Sequence, residues 1–256
     1  MDGNRRWARA HKFKLLKGHD RGAERIETVV EKAFAVGIPY VTFWTFSTEN
    51  WNRSKVELEM LFTVFRTTLL GSIVTRLLAR GVKLQIIGNY KQFPKDIVEG
   101  LEKVVEDSKD NTGIIATLAI NYGGRVEILE AVKKIIEEEQ QPVIPAKAER
   151  QTFLPRSTAA GIQSKKNSLI TGSPIRSGMT NILDEEVFSK YLSTSNLPDP
   201  DLVIRTGGEQ RLSGFLPWQT VYSELYFTDT FWPDFDEKEF EKALEEFGNR
   251  QRRFGK

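Results

Sequence analysis

The sequence predicts an α/β fold: a mostly parallel central sheet flanked by helices, in a single domain over residues 1–256. Three observations carry this. Apolar runs of strand length alternate along the chain with stretches whose apolar residues recur at helical spacing. The strands are separated by helices rather than by hairpin turns, which implies parallel pairing with both faces of the sheet covered. Finally, 256 residues with 39% hydrophobic and 28% charged side chains suffice for one continuous core.

The elements follow in order. Asp20 to Val36 carries a helical stripe at Ile26, Val29, Val30, Ala33 and Phe34, and Gly37 and Pro39 end it. Tyr40 to Phe46 is the first strand. Ser54-Lys55-Val56-Glu57 reads as a capping box opening one long helix through Leu58, Leu61, Val64, Phe65 and Leu69 to Arg80-Gly81. Val82 to Ile87 is the next strand. Pro94 suits the first turn of a helix carrying Ile97, Leu101, Val104 and Val105, and Asn111-Thr112-Gly113 turns the chain into the strand Ile114 to Ile120. A helix follows Gly124. Beyond an irregular segment come a short helix from Asp184, strands at Leu202 to Ile204 and Leu225 to Phe227, and a terminal helix from Asp236.

Composition narrows the chemistry. The absence of cysteine excludes disulfides and thiolate metal sites, and two histidines leave little scope for a histidine-built zinc centre. Any metal is therefore expected to be a hard, oxygen-ligated ion. No apolar stretch reaches the roughly 18 residues that span a bilayer, and the start lacks a signal-peptide pattern, so a cytoplasmic location is expected. The net charge of +2 disperses basic residues among 35 acidic ones, which does not favour nucleic acid.

The densest chemistry lies at Arg205-Thr206-Gly207-Gly208-Glu209-Gln210-Arg211-Leu212-Ser213, directly after the apolar run Leu202-Val203-Ile204. Guanidinium forks suit phosphate oxygens, glycines let backbone N–H groups approach an anion, and a hydroxyl adds a donor. A solvated loop with salt bridges is the alternative. Two further clusters are Met1-Asp2-Gly3-Asn4-Arg5-Arg6-Trp7-Ala8, and Phe46-Ser47-Thr48-Glu49-Asn50-Trp51-Asn52-Arg53 after the first strand. In open parallel sheets ligands gather beyond the carboxyl ends of strands, where the clusters at Ser47 and Arg205 fall.

Together with Gly18-His19, Asn121-Tyr122-Gly123-Gly124-Arg125, and Trp218-Gln219 through Glu224-Leu225-Tyr226-Phe227, these motifs closely resemble the cis-prenyltransferases, undecaprenyl diphosphate synthase being the bacterial type. The resemblance spans nearly the whole chain. It implies a Mg2+-dependent homodimer that condenses isopentenyl diphosphate onto an allylic diphosphate such as farnesyl diphosphate. The product would be a long-chain polyprenyl diphosphate, held in an apolar tunnel with Thr45 and Leu118 among its lining. A catalytically silent scaffold subunit of a prenyltransferase complex is the competing reading.

The resemblance also assigns roles. A carboxylate beside a diphosphate makes sense if Mg2+ lies between them, and the family gives that place to Asp2, with Glu224 sharing the metal. The structural alternatives are a helix cap for Asp2 and a strand-start carboxylate paired with a neighbouring arginine for Glu224. Gly3, Asn4, Arg6, Trp7 and His19 would meet the allylic diphosphate, and Trp51 and Arg53 lie on the segment expected to move over it. Arg205, Arg211 and Ser213 would hold isopentenyl diphosphate. Asn4, Ser47 and Asn50 are expected near the reacting atoms. Neither an amide nor an unactivated serine is a strong base, so positioning is the more defensible role. Arg253-Phe254-Gly255 resembles an ending that reaches across the dimer.

The chain departs from the family in several places. A short apolar strand is expected before Asp2, and without it neighbouring strand edges would be unpaired. Arg5 stands where a glycine is usual, so it either strains the turn or adds a phosphate contact. Leu15 replaces the arginine usually three residues before Gly18-His19. Residues 142–178 hold four prolines, six Lys or Arg and one Glu without periodicity, and are expected to form a mobile insertion. A basic loop of this kind is either a solvated linker or a peripheral contact with an anionic membrane surface.

Overall fold

The structure, a computed structural model, describes residues 1–69, 71–140 and 183–251. The segment 142–178 and Arg253-Phe254-Gly255 lie outside the described residues. Helix α1 (Asn4–Ala10) is followed by α2 (Leu15–Ala35), β1 (Tyr40–Ser47), α3 (Lys55–Leu69), α4 (Ser72–Ala79) and β2 (Lys83–Ile87). Then come α5 (Lys95–Asp107), β3 (Ile115–Tyr122), α6 (Gly124–Gln140), α7 (Glu185–Ser189), β4 (Leu202–Arg205), β5 (Glu224–Phe227) and α8 (Glu237–Gly248).

Among the described residues all strand pairing is parallel, as expected. The sheet comes in two pieces among the described residues, β1-β3-β2 and β4-β5. Apolar residues from α2, α4, α5 and α8 pack on one face of the three-stranded piece: Val30, Ala33, Val74, Leu77 and Phe240 meet Phe43, Leu84 and Ala116. On the other, Phe215 and Leu216 close over Trp44, Ile87, Ala119 and Tyr122. Both faces are covered, so each strand reads as a nearly continuous apolar run.

Three expectations are corrected. The expected long helix is two, α3 and α4, meeting at a 43° bend; Gly71, the cap of α4, has a backbone so close to Thr67 that a Cβ there would lie 2.5 Å from its carbonyl oxygen. Phe34, expected in the core stripe, is exposed because α2 presents Val29, Val30 and Ala33 to the sheet instead. Helix α2 also begins five residues earlier than predicted, with Leu15 as its first residue.

Two glycines of α2 set how α1 lies. A Cβ at Gly18 would stand 2.3 Å from the backbone oxygen of Asn4, and one at Gly22 would stand 2.5 Å from the Asn4 Oδ1. Only glycine lets the two helices approach this closely. The first motif is thereby pressed against α2, with His19 beside it.

No single helix among the described residues is long and apolar enough to cross a membrane.

Candidate active site

The turn after β4 seats the start of the chain. Buried Thr206 accepts from the Asp2 backbone N–H at 2.9 Å and donates its hydroxyl to the Asp2 carbonyl at 3.0 Å. That carbonyl also accepts from the Trp232 backbone N–H at 2.9 Å. The Asp2 carboxylate accepts from Gly3 N–H at 2.7 Å through Oδ1 and from Arg205 Nη2 at 3.1 Å through Oδ2. Burial raises its pKa, but the Arg205 and Gly3 hydrogen bonds outweigh that and hold it below the usual aspartate value. The cap of α1 is Gly3, at φ +100, and Asp2 is therefore not the cap.

Arg205 also donates to the Ser213 Oγ at 2.8 Å and to the Arg211 carbonyl. Glu209 bridges two other guanidiniums, Arg211 Nη1 at 2.5 Å and Arg6 Nη1 at 3.5 Å. Arg6 lies over the Phe231 ring, 5.3 Å from its centroid. Thus Asp2, Arg6, Arg205, Arg211 and Ser213 form one cluster, and Glu209 and Thr206, which local sequence could not place, organise it. The expected role of the glycines is corrected: Gly207 and Gly208 N–H donate to the Thr230 and Thr228 carbonyls at 2.9 and 2.8 Å, so they fold the turn and offer no free donor to an anion.

A second cluster lies where α1, α2 and α3 converge. Arg5 Nη2 stands 2.8 Å from Glu57 Oε1. Burial, then repulsion from Arg53 and Arg5, depresses His19 to about 4, so its imidazole is neutral at pH 7. Between the clusters, the buried Oδ1 of Asn4 has no hydrogen-bond partner among the described residues.

Asn4 and His19 line an apolar cavity running between the sheet and α2, α3, α4 and α5. It encloses about 1060 Å³ of empty space, open solvent at its mouth included, and both Thr45 and Leu118 line it. Ile26, Leu61, Val64, Phe65 and Ile86 make up much of the remaining wall.

Other predicted residues fall elsewhere. Ser47 and Asn50 close a capping box on each other, the Ser47 backbone N–H donating to Asn50 Oδ1 at 3.1 Å. Trp51 donates to Asn121 Oδ1 at 2.8 Å and packs among Phe46, Phe62 and Phe93. Trp7 is buried, donating to Asp234 Oδ1 at 2.7 Å, and so belongs to the packing of α1 rather than to the cluster. Glu224 is not brought to Asp2. In the β4–β5 register it lies opposite Leu202, three residues before Arg205 and so roughly 10 Å back along the strand. Its carboxylate accepts from Arg250 Nη1 at 3.0 Å, the structural alternative.

The loop carrying Ser213 is anchored from behind by buried Glu127. Its carboxylate accepts from Tyr122 Oη at 2.6 Å, Gln219 Nε2 at 3.1 Å, and the Ser193 backbone N–H at 3.1 Å. Gly124 N–H donates to the Gly214 carbonyl at 2.9 Å, and a Cβ on Gly124 would run into Pro217. The motif Asn121 to Arg125 thus packs behind the turn that carries Ser213 and positions it.

Comparisons with known proteins show the family. Residues 1–255 match the family model described as "Putative undecaprenyl diphosphate synthase". The isoprenyl transferase of Aquifex aeolicus is 41% identical over 256 residues, covering 100% of this chain and 93% of that protein. That of Streptococcus pneumoniae R6 is 40% identical over 259 residues, covering 100% and 89%. Among solved structures, lavandulyl diphosphate synthase from Lavandula x intermedia, in complex with dimethylallyl diphosphate, superposes with a TM-score of 0.82 at 29% identity, over 100% of this chain and 95% of that one. A "probable undecaprenyl diphosphate synthase" from Campylobacter jejuni gives 0.70 at 28%, over 92% of each. An arginine- and acid-bearing cluster next in the chain to residues that line an apolar cavity, in a chain matched end to end by isoprenyl transferases, places this protein in the undecaprenyl diphosphate synthase family of cis-prenyltransferases.

Proposed function

We propose that this protein elongates an allylic diphosphate, farnesyl diphosphate being the expected starter, by successive condensation with isopentenyl diphosphate, to give a long-chain polyprenyl diphosphate. The observation that carries the proposal is the segregation of charge from apolar surface: Asp2, Arg5 and Arg6 adjoin Met1 and Asn4 in the chain, and the cavity that Met1, Asn4 and His19 help to line is otherwise almost wholly apolar. A diphosphate head with a hydrocarbon tail matches that division.

The allylic diphosphate is assigned to Arg6, His19 and Arg53, with its tail in the cavity. Isopentenyl diphosphate is assigned to Arg205, Arg211 and Ser213: Arg205 already meets the Ser213 hydroxyl and the Arg211 carbonyl, and the exposed Arg211 guanidinium is held by Glu209. When the allylic C–O bond ionises, negative charge grows on the leaving diphosphate and positive charge on carbon. The guanidiniums face the first, and the apolar wall keeps water from the second. The alkene then attacks the allylic carbon, and a proton is lost to the diphosphate. The unpartnered Asn4 Oδ1 offers an acceptor at that point, while Ser47, engaged in its cap, positions the end of β1.

The donor set fits Mg2+ through Asp2. Its carboxylate is ionised at neutral pH, is 42% exposed, and keeps lone pairs beyond its two hydrogen bonds. No group of three or more potential ligands gathers among the described residues, so diphosphate oxygens would complete the shell, as Mg2+ commonly requires. The ion supplies neutralisation of the leaving diphosphate. A second copy of the chain is the proposed partner; Val221 and Tyr222, 70% and 74% exposed, offer apolar surface beside β5.

The two-site assignment is tested by steady-state kinetics. Arg205→Ala should raise the KM for isopentenyl diphosphate by about 10- to 100-fold and His19→Ala the KM for the allylic substrate. The reverse pattern refutes the assignment.

A further inference from the structure

From Gly3 to His19 the chain has no carboxylate and six cationic residues, Arg5, Arg6, Arg9, Lys12, Lys14 and Lys17. Arg5 and Arg6 turn toward Glu57, Asp2 and Glu209. Arg9, Lys12 and Lys14 enter no ion pair among the described residues, and they are exposed, as is Lys17. These four bracket the corner at which α1 gives way to α2.

The corner has a defined shape. Lys12, at φ +58, donates its N–H to the Arg9 carbonyl at 3.1 Å, and Phe13 donates to the Ala8 carbonyl at 2.8 Å, which closes α1 with a Schellman turn. Phe13, between two lysines in sequence, is 51% exposed. Trp7 backs its ring, with centroids 5.7 Å apart, and His11 stacks on it at 6.1 Å. The corner lies about 9 Å along α1 from Asn4, and His19 stands about one turn beyond Leu15 on α2, so it adjoins two residues that line the cavity.

A braced, half-exposed phenyl ring among unpaired cations complements an anionic lipid surface. Headgroup phosphates attract the lysines, and the ring enters the interface beneath them. A soluble anion would engage the charges and leave the ring in water.

We propose that the corner from Arg9 to Lys17 docks on an anionic bilayer, with Phe13 inserted at headgroup depth and Arg9, Lys12, Lys14 and Lys17 on the lipid phosphates. The contact stands on this surface alone. Its use rests on the proposed reaction, whose product carries a hydrocarbon chain suited to a bilayer.

The test is co-sedimentation of the full chain, without substrates, with vesicles of phosphatidylglycerol and phosphatidylcholine and with vesicles of phosphatidylcholine alone. The protein should sediment with the anionic vesicles, less so as salt is raised, and not with the neutral ones. Lys12→Gly combined with Lys14→Gln should weaken that binding about 25-fold, at about fivefold per charge. Glycine suits the left-handed backbone at Lys12, and the Lys14 side chain makes no cap bond to α2, so the turn survives both changes. Phe13→Ala should weaken binding about tenfold, and Phe13→Trp, which keeps a ring against Trp7, should bind at least as well as the parent. No binding by the parent, or unchanged binding by the Lys12 and Lys14 pair, overturns the proposal. So does a loss in that pair with none in Phe13→Ala, the behaviour of a patch drawn to any polyanion, RNA included. Because turnover is not read, failure of the docking and failure of the proposed reaction are separate results.

Discussion

Gly22→Ala isolates the contribution of one atom, the Asn4 Oδ1. An added Cβ would lie 2.5 Å from that oxygen and 3.0 Å from the Trp232 Cδ1, whereas ordinary contacts stand at about 3.5 Å or more. The overlap is thus about 1 Å. Trp232 cannot yield readily, since its indole N–H donates to the Gly22 carbonyl at 2.7 Å and its ring packs between Phe43 and Phe235. The Asn4 amide can rotate, and that movement relieves the clash. Alanine in mid-helix also gains about 1 kcal/mol over glycine, so net stability should change by less than about 1 kcal/mol. Turnover should fall about 100-fold, because a displacement of about 1 Å at the reacting atoms carries that penalty. Thermal melting and incorporation of labelled isopentenyl diphosphate measure the two effects on the same preparation. Gly18→Ala is the contrast: its Cβ would meet the Asn4 backbone oxygen, which cannot rotate away, and about 1–3 kcal/mol of stability should go with it. A fully active Gly22→Ala would refute the reasoning that the placement of Asn4 matters.

Asp2→Asn should reduce turnover at least 100-fold while leaving the fold intact, and since the folded-state pKa of Asp2 is depressed, its stabilising contribution is present above the ordinary aspartate range and lost as pH falls below it, so the variant should lose that part of the acid limb in a denaturation series. Unchanged turnover would remove Asp2 from the mechanism. His19 is also depressed, from its ordinary 6.5 to about 4, which for a base means that the unfolded chain takes up its proton first. Its contribution is complete above about pH 6.5 and fades toward pH 4, by up to about 3 kcal/mol, and His19→Gln should flatten the stability profile in that window.

Much of this molecule was legible because its signals are local. Strand-length apolar runs between helical stripes pointed to the parallel pairing, and the turn at Arg205 was read as anion-binding from residue type, whereas the role of Asp2 came from the family resemblance. What local sequence could not supply is register and approach. Glu224 shares a motif with a strand that leads toward the site, yet the pairing of Leu202 with Glu224 leaves it at the far end of that strand. The α3–α4 bend was hidden because apolar spacing continues through Ile73, Val74 and Leu77; Gly71 was the available signal. Helix α1 was missed as a helix since its seven residues carry motif side chains and no apolar stripe. Glu209 bridging Arg6 and Arg211, and Arg5 paired with Glu57, join residues about 50 or more positions apart in sequence or across a loop, and only the folded chain shows them.

The central claim is that the charged cluster and the apolar cavity serve one reaction. Incorporation of labelled isopentenyl diphosphate with farnesyl diphosphate, with and without Mg2+, followed by chain-length analysis of the extract, tests it most directly. The account predicts metal-dependent formation of long polyprenyl products. Absence of incorporation by the folded protein under both conditions would contradict it and favour a scaffold role.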